Sequence, residues 1–306
     1  MGEDKIEDVV IVGMGAIGAV YAEPLSDCPD VRLRVAVDDS RLERYRGEPL
    51  VFNGNQLELE YFVPSKNDQP VDLIIIATKS CGYADALRMV EPLVGGGTII
   101  MPLLNGISSE RQAAEIYGWE RVIYAYFIGH TSTREGRNVR QDGAYRTNFG
   151  EADNGTGFSP RVATVRDLFE RAGIKYKIPP SMIEGMWQKY IINIGMNQAT
   201  AILRCTYGRL QENGYALEYM VKLMEEAAAV GVSTGILRTR EMVEKAVSLL
   251  YTLGPEDGSS MYQDVIAGRT TEVDLFASTV CRMGEENNIE TPFNRSAELI
   301  LKALPR

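Results

Sequence analysis

Gly13-Met14-Gly15-Ala16-Ile17-Gly18 follows the apolar run Val9-Val10-Ile11-Val12 without a break. Glycines at this spacing build a turn suited to a dinucleotide diphosphate. Gly13 permits the tight turn, Gly15 lets the backbone approach the phosphates, and Gly18 lets the next helix pack close to the strand. That helix opens at Ala16 and Ile17, where unpaired N–H groups and the helix dipole favour an anion. A second strand-like run, 31–37, ends at Asp38, 20 positions after Gly18. An acid there can hold the adenosine ribose diol. A ligand-free strand-to-helix turn would need only part of this arrangement. Strand, turn, helix and acid in register point to a dinucleotide-binding enzyme.

The second half carries a different pattern. Lys189, Asn193 and Asn197 fall at i, i+4 and i+8, so on a helix they make one polar stripe among Met186, Ile191, Ile192, Ile194 and Met196. Polar groups on a buried helix must find partners, in a substrate or in nearby backbone, and the wet face of a helix would show the same spacing. Ser260 and Gln263 have the spacing of a capping box, and the helix they would start offers free N–H groups that suit a carboxylate. Thr270-Thr271-Glu272-Val273-Asp274 is expected to open the next helix, where Glu272 would complement the dipole. Lys79 and Asn105 each follow a predicted parallel strand, the end at which open sheets place ligands. His130 is the one histidine and is read as structural. A lysine is then the better candidate acid, since burial brings its pKa toward neutrality.

The elements that must position these groups divide in two. Up to Pro180 strands alternate with helices: 71–77, 98–101 and 122–127 read as strands, and Asn53-Gly54 reads as a hairpin turn. Beyond Pro180 the strand signals stop, and helical patterns run over 181–204, 213–231, 236–252 and 272–288. The expectation is an α/β Rossmann-type doubly wound sheet over 1–180 and an all-helical domain over 181–306, with a site in the cleft between them. Pro24 should shorten or kink the first helix. With 306 residues, a net charge of −10, no long apolar run and an unremarkable N-terminus, the chain reads as a cytoplasmic globular protein. That charge argues against nucleic acid or an anionic membrane as the main partner. Four widely spaced cysteines support neither a metal site nor a disulfide framework.

Taken together, the glycine turn, Thr78-Lys79, Leu104-Asn105-Gly106, Lys-x3-Asn-x3-Asn, Ser-Ser-Met-x-Gln-Asp and Thr-Glu-Val-Asp resemble the ketopantoate reductase (2-dehydropantoate 2-reductase) family over nearly the whole chain. The resemblance implies a Rossmann domain joined to a helical substrate and dimerisation domain, often as a homodimer. It implies NADPH or NADH as cofactor and a 2-keto acid as substrate. It makes Lys189 the general acid and has Glu272 contact the reacting end of the substrate. Asn193, Asn197 and Ser260 hold the substrate, and Lys79 and Asn105 line the cofactor and active-site cleft. Two positions depart from the family pattern. Asp38 stands where enzymes using the phosphorylated cofactor often carry arginine, which leans the reading to NADH, although Arg41 and Arg44 follow closely. Arg204 stands where the family often places a substrate-contacting asparagine, which leaves room for another branched or aromatic 2-keto acid. Rival readings are a hydroxyacid dehydrogenase of the hydroxyisobutyrate or phosphogluconate type, which also uses a lysine, and a non-catalytic NAD(P) sensor, which has no need of both Lys189 and Glu272.

Overall fold

The computed structural model describes residues 5–129, 132–212, 214–237 and 241–304. His130 lies outside the described residues. The chain forms two compact units, Met1–Met182 and Ile183–Arg306.

The first unit contains, in chain order, β1 (Asp8–Val12), α1 (Ala16–Ser26), β2 (Arg32–Ala36), α2 (Asp39–Arg46), β3 (Leu50–Phe52), β4 (Asn55–Leu57) and β5 (Glu60–Phe62). These are followed by β6 (Leu73–Ile76), α3 (Tyr83–Val90), β7 (Ile99–Pro102), α4 (Ser109–Tyr117), β8 (Tyr124–Gly129), β9 (Ser132–Glu135) and β10 (Asn138–Gln141). β11 (Tyr145–Gly150), α5 (Pro160–Arg171) and β12 (Tyr176–Lys177) complete it. The central sheet is five-stranded and parallel, in the order β5-β2-β1-β6-β7. Its strands read as continuous apolar runs because both faces are covered. Val9 and Ile11 pack with Leu73, Ile75 and the buried faces of α1 and α5. Val10 and Val12 pack with Ile74, Ile76 and Ile100 under α3 and α4. The two-residue period of a strand thus feeds two cores, the Rossmann-like doubly wound arrangement.

The 122–127 run lies only partly in this sheet. Val122 bridges Ile100 in parallel, and β8 then turns to pair antiparallel with β11. β3, β4, β9 and β10 form a further small sheet, whose Asn53-Gly54 turn has φ of +49° and +88°, the pattern of a two-residue hairpin. Pro24 sits in the last turn of α1, which ends two residues later. Its missing N–H deprives the Val20 carbonyl of its helical donor, and α1 ends within that turn.

The second unit is helical: α6 (Met182–Ile192), a π-helical segment (Asn193–Asn197), α7 (Gln198–Leu203), α8 (Tyr207–Gln211) and α9 (Tyr215–Ser233). α10 (Met242–Leu250), α11 (Ser260–Ile266), α12 (Ala277–Asn287) and α13 (Pro292–Ala303) follow. No helix among the described residues is long and apolar enough to cross a membrane.

Candidate active site

In the first unit β1 has β2 on one side and β6 on the other, so the strand order reverses at β1. Open α/β sheets bind ligands at the carboxyl ends of the strands at such a switch point. Gly13 adopts φ +94°, and a Cβ built there would lie 2.7 Å from the Ala77 carbonyl and the Thr78 nitrogen. The turn after β1 and the Thr78-Lys79 corner after β6 therefore touch through backbone, a contact only glycine allows. A Cβ on Gly18 would fall 2.1 Å from the Gly13 carbonyl oxygen, so α1 closes directly on the turn. Gly15 differs: apart from its chain neighbours, the Arg134 guanidinium at 3.9 Å is the one approach within 4 Å among the described residues.

The turn is packed behind and open in front, and α1 begins with no side-chain cap on its N–H groups. The Thr78 hydroxyl beside it is buried with no hydrogen-bond partner among the described residues. Open glycine backbone, a helix N-terminus and an orphaned hydroxyl fit a dinucleotide diphosphate. Lys79 is exposed and precedes a short 3-10 turn, Ser80–Gly82. Asn105 is half-buried in the loop after β7, before Gly106 at φ +94°.

Asp38 is occupied by its own helix. Its carboxylate accepts from the Arg41 N–H at 2.8 Å and the Ser40 hydroxyl at 2.7 Å, and pairs with the Arg41 guanidinium. The Ser40 hydroxyl and the Arg41 N–H hold its pKa below the usual carboxylate value, so it stays ionised at neutral pH. The sequence shows the acid but not that it caps α2.

In the second unit Lys189, Asn193 and Asn197 lie along one unbroken helical rod, but not a uniform α-helix. Each α-helical step of four overshoots a full turn by about 40°. The π segment from Asn193 to Asn197 winds more slowly and takes part of that drift back, returning Asn197 toward the line of Lys189. Lys189 and Asn193 are half-buried, and Asn197 is 7 % exposed. Gly195 admits α9 against the wide turn, where a Cβ would meet the Met224 Cγ at 2.5 Å.

The structure brings Ser260 to this rod. The Asn197 amide reaches the Ser260 hydroxyl at 3.5 Å, the long limit of a hydrogen bond. The N-cap is displaced by one residue from the expectation, and no capping box forms, since the third helical residue is then Tyr262. Ser259 is the N-cap, accepting from the Tyr262 N–H at 3.1 Å, while its hydroxyl meets that of Thr200 at 2.8 Å. Ser260 is thereby released from capping and is exposed. Glu272 also departs from expectation: α12 begins at Ala277, five residues later, so Glu272 sits in the preceding loop and is no dipole partner.

That loop is held to the lysine helix by groups the sequence reading missed. The Tyr190 hydroxyl reaches the carbonyls of Leu275 and Phe276, both at 3.1 Å. Gln198, fully buried, accepts from the Ala277 N–H at 3.0 Å and donates to the Ile194 carbonyl and to Asn294. The available signal was an amide at a position the apolar pattern marks as buried, which must be satisfied inside.

Arg204 ends α7 in the left-handed region, φ +50° and ψ +48°, and is exposed. Helices favour glycine or asparagine at this point, so the position carries a backbone demand besides any contact. Arg204→Gly is expected to raise stability by about 1 kcal/mol. Urea unfolding measures this, and a loss of stability would show that the arginine side chain holds the helix end.

A Rossmann-like unit with an open glycine turn at its switch point, followed by an all-helical unit, defines a class: the dinucleotide-dependent oxidoreductases. Comparison with known proteins narrows it. The family model described as ketopantoate reductase PanE/ApbA matches residues 9–154, and its C-terminal counterpart matches 181–304. The 2-dehydropantoate 2-reductase of Pyrococcus horikoshii is 29% identical over 232 residues, covering 76% of this chain and 75% of that protein. The 2-dehydropantoate 2-reductase of Vibrio cholerae is 25% identical over 302 residues, 97% of each. The crystal structure of the Geobacter metallireducens 2-dehydropantoate 2-reductase superposes with TM-score 0.83 at 23% identity, covering 96% of this chain and 99% of that one. The chain belongs to the ketopantoate reductase family and is an NAD(P)-dependent oxidoreductase acting on CH–OH groups.

Proposed function

We propose that this chain reduces ketopantoate to (R)-pantoate, with Lys189 as general acid. The reading is carried by one observation: Lys189, Asn193 and Asn197 share one rod, and Asn197 touches Ser260. When bound, the reduced nicotinamide supplies hydride to the C2 carbonyl. Lys189 holds the proton for the developing alkoxide and compensates its charge. Asn105, Asn193, Asn197 and Ser260 orient the substrate with neutral polar contacts, and Glu272 contacts the reacting end. Gly13, Gly15, Ala16, Ile17 and Gly18 hold the diphosphate. Asp38 and Lys79 hold the rest of the cofactor. Residues 1–180 act as the dinucleotide domain and 181–306 as the substrate and dimerisation domain.

NADH is the proposed reductant, because an ionised Asp38 after β2 repels a 2′-phosphate. The test is kcat/KM with both reduced cofactors against ketopantoate, 2-ketoisovalerate and phenylglyoxylate. Ketopantoate with NADH is expected to lead, and Asp38→Ala should relax discrimination against NADPH. Preference for NADPH in the wild type would assign the pocket to Arg44 or to Arg41, which pairs with Asp38. Preference for a substrate lacking the 4-hydroxyl favours the second reading, a reductase of another branched or aromatic 2-keto acid, to which Arg204 points. No turnover of any would overturn the 2-keto acid reading of the substrate. We also propose a homodimer, supported by Leu299 and Ile300, 60% and 40% exposed on α13. Light scattering checks it, and a monomer at assay concentration would rule it out.

A further inference from the structure

The hairpin β9–β10 lies outside the five-stranded sheet, yet one of its side chains rests on the glycine-rich turn. Register pairs Arg134 with Val139, and Val139 is buried in the core that also contains α1. Gly136, at φ +57°, fills the first position of the two-residue loop. Next to it Arg137 anchors the hairpin. It is buried, donates Nε to the Glu48 carbonyl at 2.9 Å and Nη2 to the Tyr61 hydroxyl at 2.7 Å, and lies 3.9 Å over the Tyr45 ring. Arg134 is exposed by contrast. Its Nε donates to the Gly136 carbonyl at 2.9 Å, which fixes the plane of the guanidinium. Its Nη1 donates to the Met14 carbonyl at 2.9 Å and lies 3.9 Å from a Cβ built on Gly15.

The glycine-rich turn has no cation of its own. Residues 13–19 are glycine or apolar throughout. A dinucleotide diphosphate carries about two negative charges, and a helix N-terminus offers only about half a positive charge. A guanidinium held beside the open face of Gly15 makes up the difference in charge and offers its remaining N–H donors to phosphate oxygens. We propose that Arg134 is a positioning residue that clamps the cofactor diphosphate onto the glycine-rich turn, delivered by a hairpin that is not part of the dinucleotide-binding sheet. This rests on the reading of that turn as the diphosphate site.

The test is direct titration, by calorimetry, of wild type, Arg134→Ala and Arg134→Lys with adenosine, ADP-ribose, NADH and NADPH, alongside thermal unfolding. Arg134→Ala is expected to weaken ADP-ribose, NADH and NADPH alike by about 10- to 100-fold, the range for a hydrogen bond to a charged group. Adenosine affinity and melting temperature should hold, and Arg134→Lys should recover part of the loss. ADP-ribose bound within about twofold of wild type would overturn the clamp. So would a parallel loss of adenosine binding, which marks a collapsed turn, or a loss confined to NADPH, which marks a 2′-phosphate contact. Failure of wild type to bind ADP-ribose or NADH would overturn the diphosphate reading itself and the clamp with it.

Discussion

Lys189→Ala is expected to lower kcat by about a hundred- to ten-thousandfold while leaving cofactor affinity nearly unchanged, the size of a lost general acid. Hydride arriving at a carbonyl carbon leaves negative charge on oxygen, and that charge needs a donor placed before the reaction begins. The helix carrying Lys189 should survive the substitution. Its core contacts come from Trp187 and Tyr190, 3% and 1% exposed, while Lys189 itself is only half-buried. Alanine is also the best helix former. A loss of turnover with an unchanged melting temperature therefore isolates the proton. Turnover within a few fold of wild type would mean that Lys189 is not the donor. A drop in melting temperature that matches the drop in rate would make it structural.

The residues behind this expectation differed in how visible they were. β1 with its glycines was legible because two constraints coincide on short sequence: a strand buried on both faces must be apolar throughout, and a turn that touches Ala77 and Thr78 through backbone must be glycine. The Lys189 stripe was legible as a stripe but not as a π turn. Ile194-Gly195-Met196 has no residue type that marks wide winding, and Gly195 explains itself only once Met224 is seen against it. Ser260 was read as a cap because serine, three residues before glutamine, satisfies the rule. Ser259 has Tyr262 at that spacing and does not fit the rule, yet it is the cap, held there by its contact with Thr200. Glu272 precedes a helix that begins only at Ala277, where the Gln198 amide oxygen takes the Ala277 N–H and the Tyr190 hydroxyl binds the Leu275 and Phe276 carbonyls. Those bonds join residues about 80 positions apart, beyond any local pattern. The same holds for Arg134, 120 positions from the Met14 carbonyl it binds.

Gly18→Ala is expected to disable the first unit at its cofactor turn. The added Cβ would lie 2.1 Å from the Gly13 carbonyl oxygen and 3.2 Å from its carbon. These are backbone atoms, so no rotamer change relieves the clash. Gly13 has little room to retreat, since a Cβ built on it would lie 2.7 Å from the Ala77 carbonyl and the Thr78 nitrogen. The strain must move α1 away from β1, and α1 carries the N–H groups proposed for the diphosphate and buries Ala19, Val20, Ala22 and Leu25 in the core. Overpacking of this kind costs about 1–3 kcal/mol of stability. A displaced helix N-terminus should weaken NADH by more than about tenfold, because donors and phosphate no longer meet at hydrogen-bond distance. Gly15→Ala provides the contrast: among the described residues its Cβ meets only Arg134, at 3.9 Å, so the fold should hold while a methyl group occupies the face offered to the phosphates. Urea unfolding and NADH titration separate the two. If Gly18→Ala unfolds like wild type and binds NADH within about twofold, the close approach of helix to turn is not what the third glycine supplies. If Gly15→Ala also binds normally, the diphosphate does not lie on this turn.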